Sequence, residues 1–518
     1  SVLLANEPDL GLNLPSIWYV MHLNSPNYNV MGSTIPGGPG IVLGFNDSIA
    51  WGFTNAKRDL VDWYKIEFKD KKREEYKYDN QWLKTKKVVE EFEIRGGSTF
   101  YDTIIYTHYG PVSYDSRFEQ DEERVDLAMR WTAHDASKEP KALFLINKAK
   151  NYDDYVEAYS YFAGPPQNMI YGSTAGDIAL WVNGKFPVKW EEQGKFVLDG
   201  SNSLHEWQAY MPREHLYSVK NPKQNFISSA NQHPGDSTYP YYSYDYNYEY
   251  YRNRRINDRL NIMNDIKPQD FMKLQNDNFN YMASESLPMM LDSLDTASLN
   301  PSQREMYDLL SAWDYFNEPE LKEPSLYELW WDILYKNIWD EFENQNVSLY
   351  RPSYYNTISL LATQPDFEFF DNKTTSEKED AGDLFKSSFI EAFDSLEIWK
   401  EKNGEDYSWY KFKNTTVLHL TRIGAFSRSE VKIGGNHNIV NAASGRAGPS
   451  WRMVVELSDG GVQAWGIYPG SQTGNPGNPT YSEFIDRWAD GKYEPMLFQG
   501  NLKANDRIIF TQSLNPVE

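Results

Sequence analysis

The chain has 518 residues, 40% of them hydrophobic and 15% aromatic, so it can bury a large core and does not have the composition of a disordered protein. Its 74 acidic residues outnumber its 51 basic ones, and the formal charge of -23 argues against binding to nucleic acid or anionic lipid. The absence of cysteine excludes disulfides, thiolate metal sites and a cysteine nucleophile. The longest apolar runs are strand-sized, far short of the roughly 20 residues of a membrane span, so no membrane span is predicted.

The predicted elements follow the order strands, helices, strands. Runs of β-branched or aromatic residues between turn residues predict strands at 16–23, 40–45, 63–68, 88–94, 103–106 and 178–182. Apolar spacing and start signals predict helices at 250–263, 268–276, 302–316, 325–342 and 380–402. Strand character returns after residue 431, at 452–456 and 462–468. This order predicts one sheet-based core: residues 1–299 form its first part, 300–402 a mostly helical excursion, and 403–518 the return to the core sheets.

Common catalytic signatures are absent from the sequence, which has no HExxH, no Walker-type phosphate loop and no G-x-S-x-G elbow. Its eight histidines are scattered singly, and His233 is the strongest candidate among them for a direct role. A Ser–His–Asp triad therefore has no support. The chain opens with Ser1, which has two interpretations: an arbitrary boundary, or a serine whose α-amine was freed by removal of an upstream segment.

Several short sequence blocks follow one another along the chain, and each occurs once. They are an L-x-N-x-P turn at 4–8, a Gly- and Pro-rich loop at 32–40, GFN at 44–46, WGFT at 51–54, FISSANQHPGDSTYPYY at 226–242, YYRNRRI at 250–256, and finally ASGRAGPSWRMVVEL and YPGSQTGNPGNPTYSEF. Together they resemble the large (β) subunit of the penicillin acylase family, which belongs to the N-terminal nucleophile hydrolases. The resemblance implies an α+β fold, a four-layer αββα sandwich of two stacked antiparallel sheets with a helical insertion.

The resemblance also implies a mechanism in which an N-terminal serine is both nucleophile and base. Its hydroxyl attacks the amide carbon, and its own free α-amine, with an ordinary pKa of roughly 7.7–8.0, takes the proton without any histidine. The matching positions assign the nucleophile to Ser1 and the oxyanion donors to the side-chain amide of Asn231 and the backbone N–H of Asn55. The interpretation of Asn231 as an ordinary turn residue remains open.

Two further positions match residues that orient the family's active site. Arg252 matches the arginine that holds the asparagine and the chain start, with Arg254 and Arg255 as neighbouring alternatives. The backbone carbonyl of Asp9 matches a hydrogen-bond partner of the α-amine, although a carboxylate side chain here replaces the more usual His or Gln.

The match breaks at the very start of the chain. Family members place roughly a dozen residues, beginning with Ser-Asn, between the nucleophile and the segment that matches LLAN, whereas Ser1 lies two residues before Leu3. Two explanations stay open: either the nucleophile lies on residues outside this sequence, or Ser1 serves directly through a shortened entry. The first is favoured because the nucleophile should begin a central strand.

A structural calcium ion is the next expectation from the resemblance. Asp59, Val61 and Asp62 match a D-x-V-D calcium turn, and Pro187 matches a further carbonyl ligand. A hard cation takes six to eight oxygens, so Asp245 and a carboxylate from a small (α) subunit cut from the same precursor are expected to complete the shell. An ordinary strand-edge turn is the alternative interpretation of DLVD.

The expected function is that of an amidohydrolase that cleaves a linear amide of a small molecule through an acyl-enzyme ester, as penicillin acylases do. An N-acyl-homoserine-lactone acylase of the same family and an inactive, binding-only homologue are the alternatives. A carbohydrate-active enzyme, suggested by the aromatic content, would need paired carboxylates that nothing in the sequence singles out. A periplasmic or exported location is implied by the family.

Overall fold

The computed structural model describes residues 1–113, 125–243, 249–342, 349–498, 508 and 510–515. The strands in chain order are β1 (Val2–Asn6), β2 (Asp9–Gly11), β3 (Asn13–Leu14), β4 (Tyr19–Ser25), β5 (Tyr28–Thr34), β6 (Leu43–Asn46), β7 (Ile49–Asn55), β8 (Val61–Lys65), β9 (Glu75–Tyr78), β10 (Gln81–Lys84), β11 (Lys86–Phe92), β12 (Phe100–Tyr106), β13 (Val112–Ser113), β14 (Leu127–Trp131), β15 (Gln167–Ser173), β16 (Ile178–Asn183), β17 (Leu198–Asp199), β18 (Ser218–Lys220), β19 (Leu418–His419), β20 (Ala447–Pro449), β21 (Arg452–Ser458), β22 (Gly461–Ile467) and β23 (Glu494–Pro495). The helices are α1 (Glu139–Ile146), α2 (Tyr152–Tyr159), α3 (Tyr251–Ile262), α4 (Pro268–Gln275), α5 (Tyr281–Asp292), α6 (Pro301–Ala312), α7 (Glu323–Ile338), α8 (Tyr354–Thr363), α9 (Ala381–Asn403), α10 (Trp409–Lys413) and α11 (Ile485–Ala489).

The larger of the two central sheets has seven strands in the order β18-β16-β15-β7-β6-β5-β4, with every neighbouring pair antiparallel. Both faces of its middle strands are covered, because every residue of β6 and the first four of β7 are buried. Strand β7 ends at Asn55, directly opposite Gln167 at the start of β15. The pairing with β15 therefore holds the backbone of Asn55 in place at the end of a central strand.

A second antiparallel sheet, in the order β1-β21-β22-β23, stacks on the first. Alternate residues of β21, among them Met453 and Val455, point into a shared apolar cluster with Leu43 and Phe45 of the larger sheet. This buried interdigitation of two inner faces is the contact that makes a sandwich.

The two sheets approach each other closely where β1 lies against β7. A Cβ on Gly52 would lie only 2.6 Å from Asn6 Cγ, so this position of the WGFT block has no space for a side chain. Asn6 Nδ2 donates to the carbonyl of Phe53 at 2.9 Å. The end of β1 is thereby fixed beside the end of β7.

Helices α1 and α2 cover the outer face of the seven-stranded sheet. Ile146 and Tyr155 pack there against Trp51 and Met169 of the strands, all of them buried. Asn151 caps α2, since its side chain accepts from the backbone N–H of Asp154.

Helices α4 and α11 cover the outer face of the second sheet. The fully buried side chain of Arg452 on β21 donates from Nη1 to Asn276 Oδ1 at 2.7 Å, at the end of α4, and to the carbonyl of Trp488 in α11 at 3.2 Å. The layers are thus helix, sheet, sheet, helix. The α+β, four-layer αββα sandwich expected from the sequence is confirmed.

Helices α5 to α9 pack around a separate apolar cluster that contains Trp330 and Trp331, both fully buried. Asp380 and Asp383 form a capping box that starts the 23-residue α9. The stretch 300–402 is mostly helical in its described part, and the division of the chain at 299 and 402 stays a prediction. No helix among the described residues has the length and apolarity needed to span a bilayer.

Candidate active site

The loop that carries Asn231 is tied to the ends of β7 and β15. Thr54 Oγ1 lies 2.5 Å from Ser229 Oγ, and Asn168 Nδ2 donates to both hydroxyls, at 3.0 and 3.2 Å. Asn231 itself adopts the left-handed conformation, with φ of 69°, which asparagine tolerates better than most residues. Its Nδ2 donates to the carbonyl of Asn55 at 2.9 Å. The two residues expected to bind an oxyanion are therefore adjacent.

Arg252, in the first turn of α3, orients the amide of Asn231. Its Nη2 donates to Asn231 Oδ1 at 2.8 Å and to the carbonyl of Ala230 at 3.1 Å. A guanidinium can only donate hydrogen bonds, so the oxygen of the amide must face Arg252 and the nitrogen must face Asn55. Of the two Nδ2 hydrogens, one binds the carbonyl of Asn55 and the second has no hydrogen-bond partner among the described residues.

Asp9 completes this arrangement through its side chain. Its Oδ2 accepts from Arg252 Nη1 at 3.0 Å, and 28% of the Asp9 side chain is exposed. Burial raises the pKa of Asp9 above its ordinary value, against the lowering effects of Arg252 and Arg452. Arg252 thus links three chain segments, those of Asp9, Asn231 and helix α3, as expected for a residue that positions others.

Ser1 is not part of this group in the structure. It is exposed and lies before β1, where Val2 pairs with Leu457, whereas the other end of β1 reaches β7 through Asn6. A strand advances about 3.3 Å per residue, so the run from Ser1 to Asn6 spans about 16 Å. The structure therefore brings Asn231, Asn55, Arg252 and Asp9 together and leaves Ser1 apart from them. The catalytic roles of all five stay predictions.

His233 lies beside Asn231 in sequence but is engaged elsewhere. Its Nε2 accepts from Arg58 Nη1 at 3.2 Å, which places the ring proton on Nδ1, and Nδ1 donates to the carbonyl of Gly235 at 3.0 Å. Both contacts fix the shape of the 226–242 loop, and neither directs the imidazole toward the Asn231 amide.

The expected calcium turn binds a lysine. Lys189 Nζ lies 2.6 Å from Asp59 Oδ2 and 2.9 Å from Asp62 Oδ2, and only 4% of its side chain is exposed. Pro187, the expected carbonyl ligand, lies two residues before Lys189 and forms a β-bridge with Tyr210. Val61 N lies 3.4 Å from Asp59 Oδ1 and donates to it.

The described residues therefore fit a calcium ion poorly. The position between the two carboxylates holds an ammonium, and no group of three or more His, Asp or Glu side chains in the described ranges is arranged to hold a metal. Burial raises the pKa of Asp59, while Lys189 lowers it. Asp245 lies outside the described residues. The ligand roles of Asp59, Val61, Asp62 and Pro187, and calcium itself, stay predictions.

Sequence reasoning did not single out Lys189 or the hydroxyl and amide network of Thr54, Asn168 and Ser229. A signal for Lys189 was present, because alternate residues of an extended segment share one side, and Lys189 follows Pro187 by two. The network had no recognisable signal, since its three members come from separate strands and a loop.

Known proteins are similar to this chain over most of its length. A family model described as penicillin amidase matches residues 1–503. The acyl-homoserine lactone acylase QuiP of Pseudomonas aeruginosa is 24% identical over 96% of this chain and 65% of its own length. The penicillin acylase 2 proenzyme of Pseudomonas sp. (strain SE83) is 22% identical over 99% of this chain and 67% of its own.

The fold is shared with a solved structure. A thermostable penicillin G acylase from Alcaligenes faecalis superimposes with a TM-score of 0.74 at 17% identity, over 100% of this chain and 97% of that one. The chain spans a little under two thirds of the length of the QuiP acylase from P. aeruginosa.

Proposed function

The chain belongs to the penicillin amidase family, and from this premise we propose that it carries the oxyanion-binding part of an amidohydrolase that cleaves linear amides through an acyl-enzyme ester. The observation that carries the proposal is the fixed direction of the Asn231 amide. Arg252 binds its oxygen at 2.8 Å and the carbonyl of Asn55 binds one N–H of Nδ2, which leaves the second N–H without a partner among the described residues.

This geometry suits the first step of acyl transfer. A substrate carbonyl placed beside Asn231 Nδ2 and the backbone N–H of Asn55 would develop negative charge on its oxygen as a serine hydroxyl adds to the carbon. Hydrogen-bond donors that are already held in place stabilise that charge without having to reorganise during the reaction. Such electrostatic stabilisation of the transition state is usually the largest contribution to the rate of acyl transfer. The arrangement favours the tetrahedral oxyanion over the flat ground-state amide.

The proton transfers belong to the α-amine of the attacking serine. The amine takes the hydroxyl proton during attack and gives it to the leaving nitrogen, so that an amine departs and an ester remains; water then repeats the sequence and releases the acid. The proposal needs a serine α-amine beside Asn231. Ser1 is the candidate in this sequence, and because it lies at the other end of β1, labelling has to identify the residue that reacts.

The substrate class is part of the proposal. An amide with an arylacetyl group is one candidate, as in penicillin side chains, and the amide of an N-acyl-homoserine lactone is the second. The second is favoured by the name of the P. aeruginosa relative. We also propose a smaller partner chain cut from the same precursor, and an exported location; the relative named a proenzyme supports the first of these.

A panel of amides tests the function. Release of free amine is measured with a phenylacetyl anilide and with homoserine lactones acylated by six-carbon and twelve-carbon chains. Phenylmethylsulfonyl fluoride should block hydrolysis and label one serine, which peptide mass mapping identifies. Hydrolysis of none of these amides, together with no labelled serine, would establish the binding-only homologue instead.

A further inference from the structure

We propose that the ammonium of Lys189 is a built-in cation that holds Asp59 and Asp62 together, in place of the calcium ion that the sequence predicts there. This inference concerns the stability of the fold and does not depend on the proposed function.

The position of the ammonium is the first argument. Its distances of 2.6 and 2.9 Å to the two carboxylates are those of charge-assisted hydrogen bonds, and it contacts both acids at once. The side chains of Lys189, Asp59 and Asp62 are only 4%, 16% and 1% exposed. Charged side chains this deeply buried are rarely left unpaired, so the three form a unit.

Charge is the second argument. Two carboxylates on one short turn repel each other and lose hydration when buried, so a positive charge between them is required if both are ionised. A lysine ammonium is a compact point charge with three donors, and therefore does electrostatically what a bound cation would do. The nearby acid Asp135 does not compete for it, because Asp135 is already bound by Arg130 and Lys185.

Trp207 and Gly194 border the site on two further sides. The ring of Trp207 lies 5.6 Å from the ammonium, and its Nε1 donates to Asp62 Oδ2. Gly194, with φ of 98°, lies over the carboxylates: a Cβ there would be 2.3 Å from Asp59 Oδ2 and 2.9 Å from Asp62 Oδ1. The buried Oδ1 of Asp62 has no hydrogen-bond partner among the described residues. The backbone of Gly194 lies beside it.

A calcium ion would need this volume for itself. It takes six to eight oxygens at about 2.3–2.6 Å, which requires the ammonium to leave the space between the carboxylates. Lys189 is almost wholly buried and follows Pro187, which is held by its β-bridge, so its side chain has little freedom to move away. Among the described residues, Asp59 and Asp62 are its only acidic partners. The lysine and the metal are therefore alternatives.

Metal content and thermal unfolding of the complete mature protein test this directly. After dialysis against a chelator-free buffer, the wild-type protein is expected to hold calcium well below one ion per chain by elemental analysis. Its Tm should be the same, within about 1 °C, in millimolar calcium and in EGTA. One tightly held calcium per chain with a fall in Tm on chelation would overturn the proposal, whatever the variants do.

The Lys189→Ala variant supplies the converse test. Removing one partner of a buried ion pair typically costs enough to lower the Tm of a chain of this size by about 3–5 °C. We expect that loss in EGTA and its recovery in millimolar calcium, because the vacated carboxylates can then bind the ion. If the variant folds only when calcium is present, the proposal is supported in its strongest form.

Lys185→Ala is the matched control. Lys185 Nζ lies 2.6 Å from Asp135 Oδ2, but that carboxylate keeps Arg130 and the hydroxyl of Tyr210 after the substitution. Its Tm should fall less and should not respond to calcium. An equal calcium response in both variants would contradict a specific role for Lys189, as would a Lys189→Ala protein whose Tm is unchanged.

Discussion

The clearest test of the oxyanion assignment is the replacement of Asn231 by glycine. The asparagine has a φ of 69°, a conformation that costs a residue with a side chain roughly 1–2 kcal/mol and glycine nothing. Asn231→Gly therefore removes the amide without adding backbone strain. The substitution removes the Nδ2 hydrogen proposed to bind the oxyanion, together with the hydrogen bonds from Nδ2 to the carbonyl of Asn55 and from Arg252 to Oδ1. Losing one such donor costs about 10²–10³ in kcat, or about 2.7–4 kcal/mol.

The effect should appear in kcat and not in KM, because the donor acts on charge that develops only in the transition state. The assay is amine release from whichever amide the protein hydrolyses fastest, with Tm measured in parallel. Asn221→Gly is the matched control: it also has a positive φ, of 46°, and its Nδ2 donates to Asp177 at 2.7 Å on an exposed turn. If both variants retain wild-type kcat, Asn231 is not an oxyanion donor and the reasoning fails.

The remaining predictions concern the residues around this centre. Arg252→Lys should lower kcat at least tenfold, because a lysine cannot hold Asn231 and Asp9 together, whereas Arg254→Lys, whose partner is Glu285, should not. Burial raises the pKa of Glu328 from an ordinary 4.5 to about 8. The folded state therefore holds this proton more tightly than the unfolded state, and the free energy of unfolding should fall as the pH rises from about 4.5 to about 8. The loss amounts to about 1.4 kcal/mol per unit of pKa difference. Urea unfolding at pH 5 and pH 8 should show this slope, and Glu328→Gln should flatten it. Arg452→Met should cost about 3–5 kcal/mol in the same assay, because it removes the partner of the largely buried Glu7 carboxyl group, which accepts from Arg452 Nε at 2.8 Å; a loss below about 1 kcal/mol would contradict the structure.

Long periodic segments were predicted well from the sequence, and short elements were not. Predictions of helices at 268–276 and 380–402 are confirmed by α4 and α9 within one residue. Helices α1 and α2, of eight residues each, were not predicted within a region that was interpreted as strands and turns. Helices this short have little stability of their own, and these two exist because their buried faces cover the larger sheet. That packing depends on contacts between residues far apart in the sequence, so the local sequence pattern does not predict these helices.

The choice among three arginines shows the same limit inside the site. Arg252, Arg254 and Arg255 follow one another at the start of α3, and the sequence left the choice among them open. Successive positions on a helix point in different directions, and the structure sends the three to different acids: Asp9, Glu285 and Asp277. Only the fold places those acids around the helix. The sequence motif indicated the region, and the tertiary contacts show that Arg252 is the one of the three that binds Asn231.

The two departures from expectation, at Asp9 and Lys189, both place opposite charges side by side. At Asp9 a carboxylate stands where the resemblance leads one to expect a neutral or weakly basic side chain, and it forms an ion pair with Arg252 at 3.0 Å. At Lys189 a side-chain ammonium lies where a calcium ion was expected, and it pairs with the carboxylates of Asp59 and Asp62. The charges of Lys189, Asp59 and Asp62 are buried, and an unmatched charge there would cost several kcal/mol, whereas 28% of the Asp9 side chain is exposed in its pair with Arg252. Lys189 must therefore be kept or replaced together with Asp59 and Asp62, whereas the partly exposed pair of Asp9 and Arg252 contributes less to stability.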